Sequence, residues 1–168
     1  VRGIRLSLQR PEILEAQLRA LLASADGRPL RIMFPMVGSV EEWRAARDMV
    51  QRLREEIAVS DLQVGIMIEV PSAALLAPQL AREVDFFSIG TNDLTQYTMA
   101  ADRLSPQLAY LTDPWQPAVL RLIQHTCIVG QANNVAVGVC GEAAADPMLA
   151  CVLTGLGVNS LSAASTAV

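Results

Sequence analysis

The sequence predicts an α/β fold of parallel strand–helix units, on three observations. Strand-like apolar runs and amphipathic helix-like runs alternate along all 168 residues. The strand-like runs, "LQVGIMIEV" above all, are continuously apolar, as a parallel sheet covered on both faces requires. Strand after strand then ends in polar or reactive residues: Met33 to Met36, Glu69, Gly90 to Asp93, and Cys140 to Glu142. The alternation implies βαβ units with right-handed crossovers, which fit either a doubly wound sheet or part of a (β/α)8 barrel. The functional strand ends favour the barrel, where such ends ring one site. A whole barrel takes eight strands and about 250 residues, so the five strands expected here would leave open edges.

Each element follows from its local pattern. "RPEILEAQLRALLAS" carries Ile13, Leu14, Leu18, Leu21 and Leu22 at helical spacing, with Pro11 near its start. "LRIMFPMV" reads as a short buried strand, and "SVEEWRAARDMVQRLREEI" as a helix opened by Ser39 and Glu42 in capping-box spacing. "LQVGIMIEV" is the next strand. "PSAALLAPQLARE" predicts one helix with Pro71 in its first turn and a kink at Pro78. "VDFFSIG" is the third strand and "PWQPAVLRLIQHTCIVGQANN" holds a helix from Pro117. "VAVGVCGE", "DPMLACVLTGLG" and "VNSLSAA" complete the pattern as strand, short helix and strand. The chain repeats nothing beyond the βα unit.

Composition narrows the function. The chain is 52% hydrophobic with mean hydropathy +0.33, enough for one domain with a real core. Its apolar runs are broken well short of the roughly 20 residues of a membrane span. Net charge is -4 with no basic cluster, so neither nucleic acid nor membrane insertion is expected. All 13 basic side chains are arginine. The absence of lysine excludes Schiff-base chemistry and the lysine of a P-loop. An anion must therefore be met by arginine, backbone amides or a metal. Cys127, Cys140 and Cys151 make no CxxC pair and no secretory leader is recognised, which points to a reducing, cytoplasmic setting. The first residue is Val1, and a piece of a longer chain is expected.

Several residues carry candidate chemistry. Glu69 ends an otherwise apolar run and is either a solvent-facing carboxylate or a hard-metal ligand. Neighbouring parallel strands would bring Asp93 to the same rim, and two carboxylates with open positions suit Mg2+. "TND" at 91–93 can present backbone amides and an amide side chain to an anion, or make an Asx-turn or helix cap. Arg103, ten residues past Asp93, offers planar bidentate contacts to phosphate or carboxylate, or is simply exposed. Cys140, at a strand end, could be a nucleophile or a proton donor, whereas Cys127 and Cys151 read as apolar filler. His125 falls within a helix and reads as structural or solvent-facing. Met33, Met36, Met67 and Met99 read as core packing.

Those residues lie in stretches that resemble a known family. "VGIMIEVPSAA", "EVDFFSIGTNDLTQYTMAADR", "VGVCGEAAADP" and "GLGVNSLSAAS", with "RGIRLSL" and "RIMFPM", are similar to the phosphoenolpyruvate-binding barrel of the phosphoenolpyruvate-protein phosphotransferases, the first enzymes of the bacterial sugar phosphotransferase system. The resemblance runs over essentially the whole chain. It implies one partial domain over 1–168, the C-terminal five or so strands of a TIM-type (β/α)8 barrel incomplete at its N-terminus. It implies Glu69 and Asp93 as Mg2+ ligands, and Asn92, Asp93, Arg103 and Arg2 as contacts of phosphoenolpyruvate. Cys140 would be the acid that protonates C3 of the enolate as pyruvate forms, with Glu142 supporting it. It further implies a homodimer and, through other domains, a histidine-containing phosphocarrier protein as partner. The family's phosphorylatable histidine in a "TSH" context, its carrier-docking helical domain and two further substrate arginines have no counterpart in these residues. An inactive fragment is therefore expected. Pyruvate phosphate dikinase and phosphoenolpyruvate synthase share the barrel and form one alternative. A non-catalytic dimerisation or regulatory module forms the other.

Overall fold

The computed structural model describes residues 3–167. Its strands β1 (Leu30–Phe34), β2 (Leu62–Ile68), β3 (Phe86–Gly90), β4 (Ala136–Cys140) and β5 (Ser160–Ser162) pair in parallel in sequence order, β1-β2-β3-β4-β5. A doubly wound sheet reverses its strand order at a switch point. Here every new strand is added on the same side of the last, which is the winding of a barrel.

The two faces of the sheet differ sharply. Ile32, Phe34, Ile66, Ile68, Phe87, Ile89, Val137 and Val139 are buried in one continuous core against the helices. The alternating positions carry Arg31, Met33, Gln63, Met67, Phe86, Ser88, Ala136 and Cys140, which are half-buried or exposed, and the glycines 65, 90 and 138. This second face bears a groove of about 250 Å³ lined by residues including Arg31, Met33, Phe86, Ser88 and Ser160. Period-two burial on a sheet face needs only every second residue to be apolar. The continuously apolar look of β2 thus overstates its burial, since Val64 and Met67 are only partly covered.

The first helices, α1 (Ile4–Gln9) and α2 (Pro11–Ser24), precede β1, and α1 is not anticipated by the sequence pattern. On α2 only Leu14, Leu18 and Leu22 are buried. This i, i+4, i+8 row packs toward α3 (Val40–Glu56), while Ile13 and Leu21, assigned to the same stripe, are exposed on its flanks. Arg19 joins the two helices by bonding Glu15 on its own helix and Glu56 on α3. Trp43 of α3 meets Phe34 edge-on with centroids 6.3 Å apart, a geometry that adds about 1 kcal/mol beyond burial.

Ser39 caps α3 as its spacing predicts, accepting from the Glu42 N–H at 3.2 Å. The return half of the box differs. Glu42 accepts from the Gly38 N–H at 2.7 Å and from Arg5 of α1, so the carboxylate fastens α1 to the loop after β1. Burial pushes the Glu42 carboxyl up, but the Arg5 guanidinium and the Gly38 amide outweigh it and hold the group below the usual carboxylate range.

The single helix expected over 71–83 is two, α4 (Pro71–Leu75) and α5 (Ala77–Leu80), broken at Leu76. Pro78 has no N–H to give to Ala74 and its ring crowds that carbonyl, so the kink becomes a break. Ala73, Ala74, Ala77 and Leu80 nonetheless stay fully buried. After β3 comes α6 (Thr91–Met99), then α7 (Pro117–Asn133), and after β4 come α8 (Glu142–Ala145) and α9 (Pro147–Gly155), capped by Asp146. No helix among the described residues is long and apolar enough to cross a membrane.

Two stability outcomes follow. A Cβ at Gly65 would stand 2.8 Å from the Phe86 ring and closer still to the Phe86 carbonyl oxygen. Gly65→Ala is expected to lower unfolding free energy in urea by about 1–3 kcal/mol, the scale of overpacking. Gly155→Ala, which meets nothing within 4 Å, should be neutral or stabilise by up to about 1 kcal/mol. The second outcome concerns pH. A carboxylate depressed on folding stabilises above its unfolded value and loses that contribution as pH falls through its folded one. Glu42→Gln should lower the thermal midpoint at neutral pH, and its gap to wild type should close as pH drops below about 4.

Candidate active site

The C-terminal ends of β2, β3 and β4 meet at one rim. Ile68 pairs with Ile89 and Gly90 with Cys140, so Glu69, Gly90 and Cys140 stand level across three strands. Glu69 is buried at 4% exposure, which replaces the solvent-facing alternative with an interior carboxylate. Its Oε1 accepts from the Met36 N–H at 2.7 Å. Its Oε2 lies against Gly90, where a Cβ would come within 3.0 Å of it and 2.8 Å of the Met67 sulfur. Gly90 is bare because the Glu69 carboxylate and the Met67 thioether occupy its side-chain space.

The "TND" segment forms the first turn of α6, not a free turn. Gly90 stands at the helix N-cap and Thr91 opens the helix. The fully buried Thr95 hydroxyl donates to the Thr91 carbonyl at 2.7 Å, and the Thr91 hydroxyl donates to the Cys140 carbonyl at 3.0 Å. Those bonds lock the start of α6 to the end of β4. Asn92 Oδ1 accepts from the Glu142 N–H at 3.4 Å and sits against Gly141, whose φ of 96° and lack of a Cβ allow the approach. The Asn92 NH2 group is then the donor it can offer a ligand.

Asp93 lies in the same turn with its side chain 18% exposed, and Arg103 Nη1 approaches it at 3.9 Å. Arg103 is placed by the end of α6. Ala100 turns into the left-handed region at φ 52°, and Gln96 Oε1 accepts from the Arg103 N–H at 3.1 Å. The guanidinium, Asn92, Thr95, Thr112 and Glu142 line one cavity of about 520 Å³, a space with a cation and an amide at its wall. Glu69, Asp93 and Cys140 lie outside that lining. The predicted residues thus fall into Asn92 and Arg103 on the cavity, Glu69 and Cys140 level on the sheet, and Asp93 in the first turn of α6 beside Arg103. Arg2 lies outside the described residues.

Cys140 is half-buried at the end of β4. Burial pushes its thiol up from the ordinary value, the Ser88 hydroxyl draws it partly back, and the charge of Glu69 across Gly90 adds to the rise. A protonated thiol at neutral pH suits a proton donor better than a nucleophile. Cys127 is buried as expected, its thiol pushed up to about 11 by burial alone. Cys151, read as apolar filler, is exposed on α9. The methionines assigned to the core are corrected as well. Met33 and Met67 occupy strand positions on the groove side of the sheet, whereas Met36, in the loop after β1, and Met99, at the end of α6, are half-buried.

Four contributors have roles that the motif reading did not assign. Met36 holds Glu69 through its backbone at a left-handed φ of 55°, rare for a methionine. Thr91, Gln96 and Ser88 act through hydroxyl and amide bonds; of these, only Ser88 stands out in the sequence, as a lone polar residue inside "FFSIG".

Glu69 directly follows β2 and Asp93 stands in the first turn of α6 after β3, and carboxylate oxygens are hard donors of the type that Mg2+ takes. No group of three or more His, Cys, Asp or Glu side chains that could hold a metal occurs among the described residues, so a closed all-protein cage is not what this rim provides.

The protein family described as "PEP-utilising enzyme, PEP-binding domain" matches residues 1–168. A multiphosphoryl transfer protein of Rhodobacter capsulatus is 49% identical over 167 residues, 99% of this chain and 20% of the relative. One from Xanthomonas campestris is 54% identical over 96% of this chain and 20% of its own length. A phosphoenolpyruvate-protein phosphotransferase of Latilactobacillus sakei is 46% identical over 99% of this chain and 30% of the relative. The chain thus spans between a fifth and a third of these proteins. Among solved structures, a citrate lyase from Burkholderia xenovorans superposes with TM-score 0.61 at 19% identity over 75% of this chain and 40% of that one. The magnesium/glyoxylate complex of Haloferax volcanii malate synthase does so with TM-score 0.60 at 17% identity, over 76% and 39%. These likenesses show the fold alone, that of TIM-type barrel proteins.

Alkylation should order the three thiols. With iodoacetamide at neutral pH, followed by peptide mass spectrometry, exposed Cys151 is expected to react first, Cys140 more slowly and Cys127 only on unfolding.

Proposed function

The chain belongs to the PEP-binding domain family of the PEP-utilising enzymes, and from that membership we propose that it is the phosphoenolpyruvate- and Mg2+-binding part of a phosphotransferase acting in sugar uptake. The full protein would move the phosphoryl group of phosphoenolpyruvate to a histidine and on to a histidine-containing phosphocarrier protein, releasing pyruvate. The observation that carries this reading is the level arrangement of Glu69, Gly90 and Cys140 beside the cavity lined by Asn92 and Arg103.

Glu69 and Asp93 would hold Mg2+, which when bound offsets negative charge on the phosphate and the enolate. Arg103 and the Asn92 NH2 group bind the phosphate and carboxylate oxygens from the cavity wall, joined by Arg2. The first turn of α6 adds backbone N–H groups with the favourable end of the helix dipole. As the phosphoryl group leaves the enol oxygen, the Cys140 S–H bond breaks and a C–H bond forms at C3. The electron pair of the S–H bond stays on sulfur. A thiol raised by burial is present in its protonated form for that step. The histidine that accepts the phosphoryl group would lie elsewhere in the full protein, so the isolated chain is expected to bind ligand without turnover. We further propose that 1–168 is one partial barrel domain, that the full protein is a cytoplasmic homodimer, and that its barrel takes part in the dimer.

Calorimetric titration tests the assignment. Glu69→Gln and Asp93→Asn should each weaken Mg2+ binding about 10- to 100-fold or more. Arg103→Ala should weaken phosphoenolpyruvate and spare Mg2+, and Cys140→Ala should leave both nearly unchanged while abolishing pyruvate release in the full protein. Turnover indifferent to all four substitutions overturns the reading in favour of a non-catalytic module.

A further inference from the structure

The Met36 amide holds Glu69, yet nothing in Met36 itself keeps its backbone where that bond needs it. A left-handed φ of 55° persists in a methionine only where the surroundings impose it. Three elements close in on the turn 35–38. Glu42 of α3 accepts from the Gly38 N–H at 2.7 Å, and the Ser72 hydroxyl of α4 donates to the Gly38 carbonyl at 2.9 Å. From the third side comes α1, whose Gly3 lies so near that a Cβ on it would collide with the Met36 Cβ. Val37, within the turn, is fully buried.

These holds converge on Glu42. The Ser39 cap sets it in the first turn of α3. One of its oxygens takes the Gly38 amide and the other takes the Arg5 guanidinium, so a single carboxylate ties the turn to α1 as well as to α3. A Cβ on Gly38 would stand 3.0 Å from the Arg5 guanidinium and 3.4 Å from Glu42 Oε2, which shows how closely the pair walls the turn. Two residues before Gly38, the Met36 N–H meets Glu69 Oε1 at 2.7 Å. Glu42 and Glu69 thus grip the same turn by its two amides.

We infer that Glu42 is a positioning residue for Glu69: through the Gly38 amide and Arg5 it keeps the 35–38 turn in the conformation that presents the Met36 N–H to Glu69 Oε1. The inference rests on the proposed function, in which Glu69 holds Mg2+. Without that grip the turn relaxes toward ordinary backbone angles, the amide leaves Glu69, and the carboxylate loses a bond that selects its rotamer. A hydrogen bond to a ligating carboxylate is an outer contact on which metal affinity depends.

The test uses two readouts on the 168-residue chain. The first is hydrogen exchange of the Met36 amide, followed by NMR without metal and taken relative to Ile66, which is paired on both sides of β2. Glu42→Ala should raise that relative rate about tenfold, as a local opening does. The second is calorimetric titration with Mg2+, where Glu42→Ala should raise Kd about three- to tenfold, less than the loss of a ligand would. Glu42→Gln, which keeps one acceptor oxygen, should fall between wild type and Glu42→Ala in both. Arg19→Ala removes the ion pairs that join α2 to α3 and should lower the thermal midpoint while moving neither readout. Unchanged relative exchange at Met36 in folded Glu42→Ala overturns the inference, whatever the fate of the phosphoenolpyruvate reading. Faster exchange with an unchanged Kd also overturns it, as does a Kd raised equally by Arg19→Ala. If Glu42→Ala does not fold, Glu42→Gln and Arg5→Ala decide by the same readouts. Faster exchange in a chain whose wild type binds no Mg2+ overturns the proposed metal site and supports the grip on Met36 alone.

Discussion

The parallel ladder joining β2, β3 and β4 is the constraint on which the rim depends. It sets Ile68 beside Ile89 and Gly90 beside Cys140, and so brings a carboxylate, a gap and a thiol to one height. The ladder is fixed from the other side of the sheet, where Ile66, Ile68, Phe87, Ile89, Val137 and Val139 interlock with the helices. A shift of one residue in any strand would turn its core side chains outward and its rim side chains inward. Packing and chemistry are therefore two faces of one register.

At the rim the same economy appears in single side chains. Glu69 gives one oxygen to the Met36 amide and turns the other toward Gly90. Asn92 gives its carbonyl to the Glu142 amide and retains its NH2. Each group is oriented by a backbone amide that fixes one half of it, which limits the rotamers left to the other half. Arg103 is the exception: its backbone is fastened to Gln96 while its guanidinium, 44% exposed, keeps only a long contact with Asp93.

The alternation of strands and helices was legible because the helix-facing strand positions are apolar whatever else the chain does. The strand ends were legible because Glu69 closes an apolar run and because small, polar or reactive residues, Gly90 to Asp93 and Cys140 to Glu142, follow the others. What stayed hidden is tertiary in origin. The helical state of α6 is not written in "TNDLTQYTM", whose threonines and Asn-Asp pair favour caps and turns. It is imposed by burial of Leu94 and by the Thr95–Thr91 and Thr91–Cys140 bonds. The exposure of Ile13 and Leu21 depends on which flank of α2 meets α3, and periodicity alone does not say. The amide of Met36 has no residue type to betray it, because every residue but proline carries one.

The sequential strand order has a consequence for how the chain is made. Each strand lies beside the one synthesised before it, and the helix between them lies on the side where the core forms. A nascent chain leaving the ribosome can add βα units one at a time, every strand meeting a partner already in place. The long-range pairings that slow many parallel sheets reduce here to neighbour-to-neighbour closures, each spanning a single crossover.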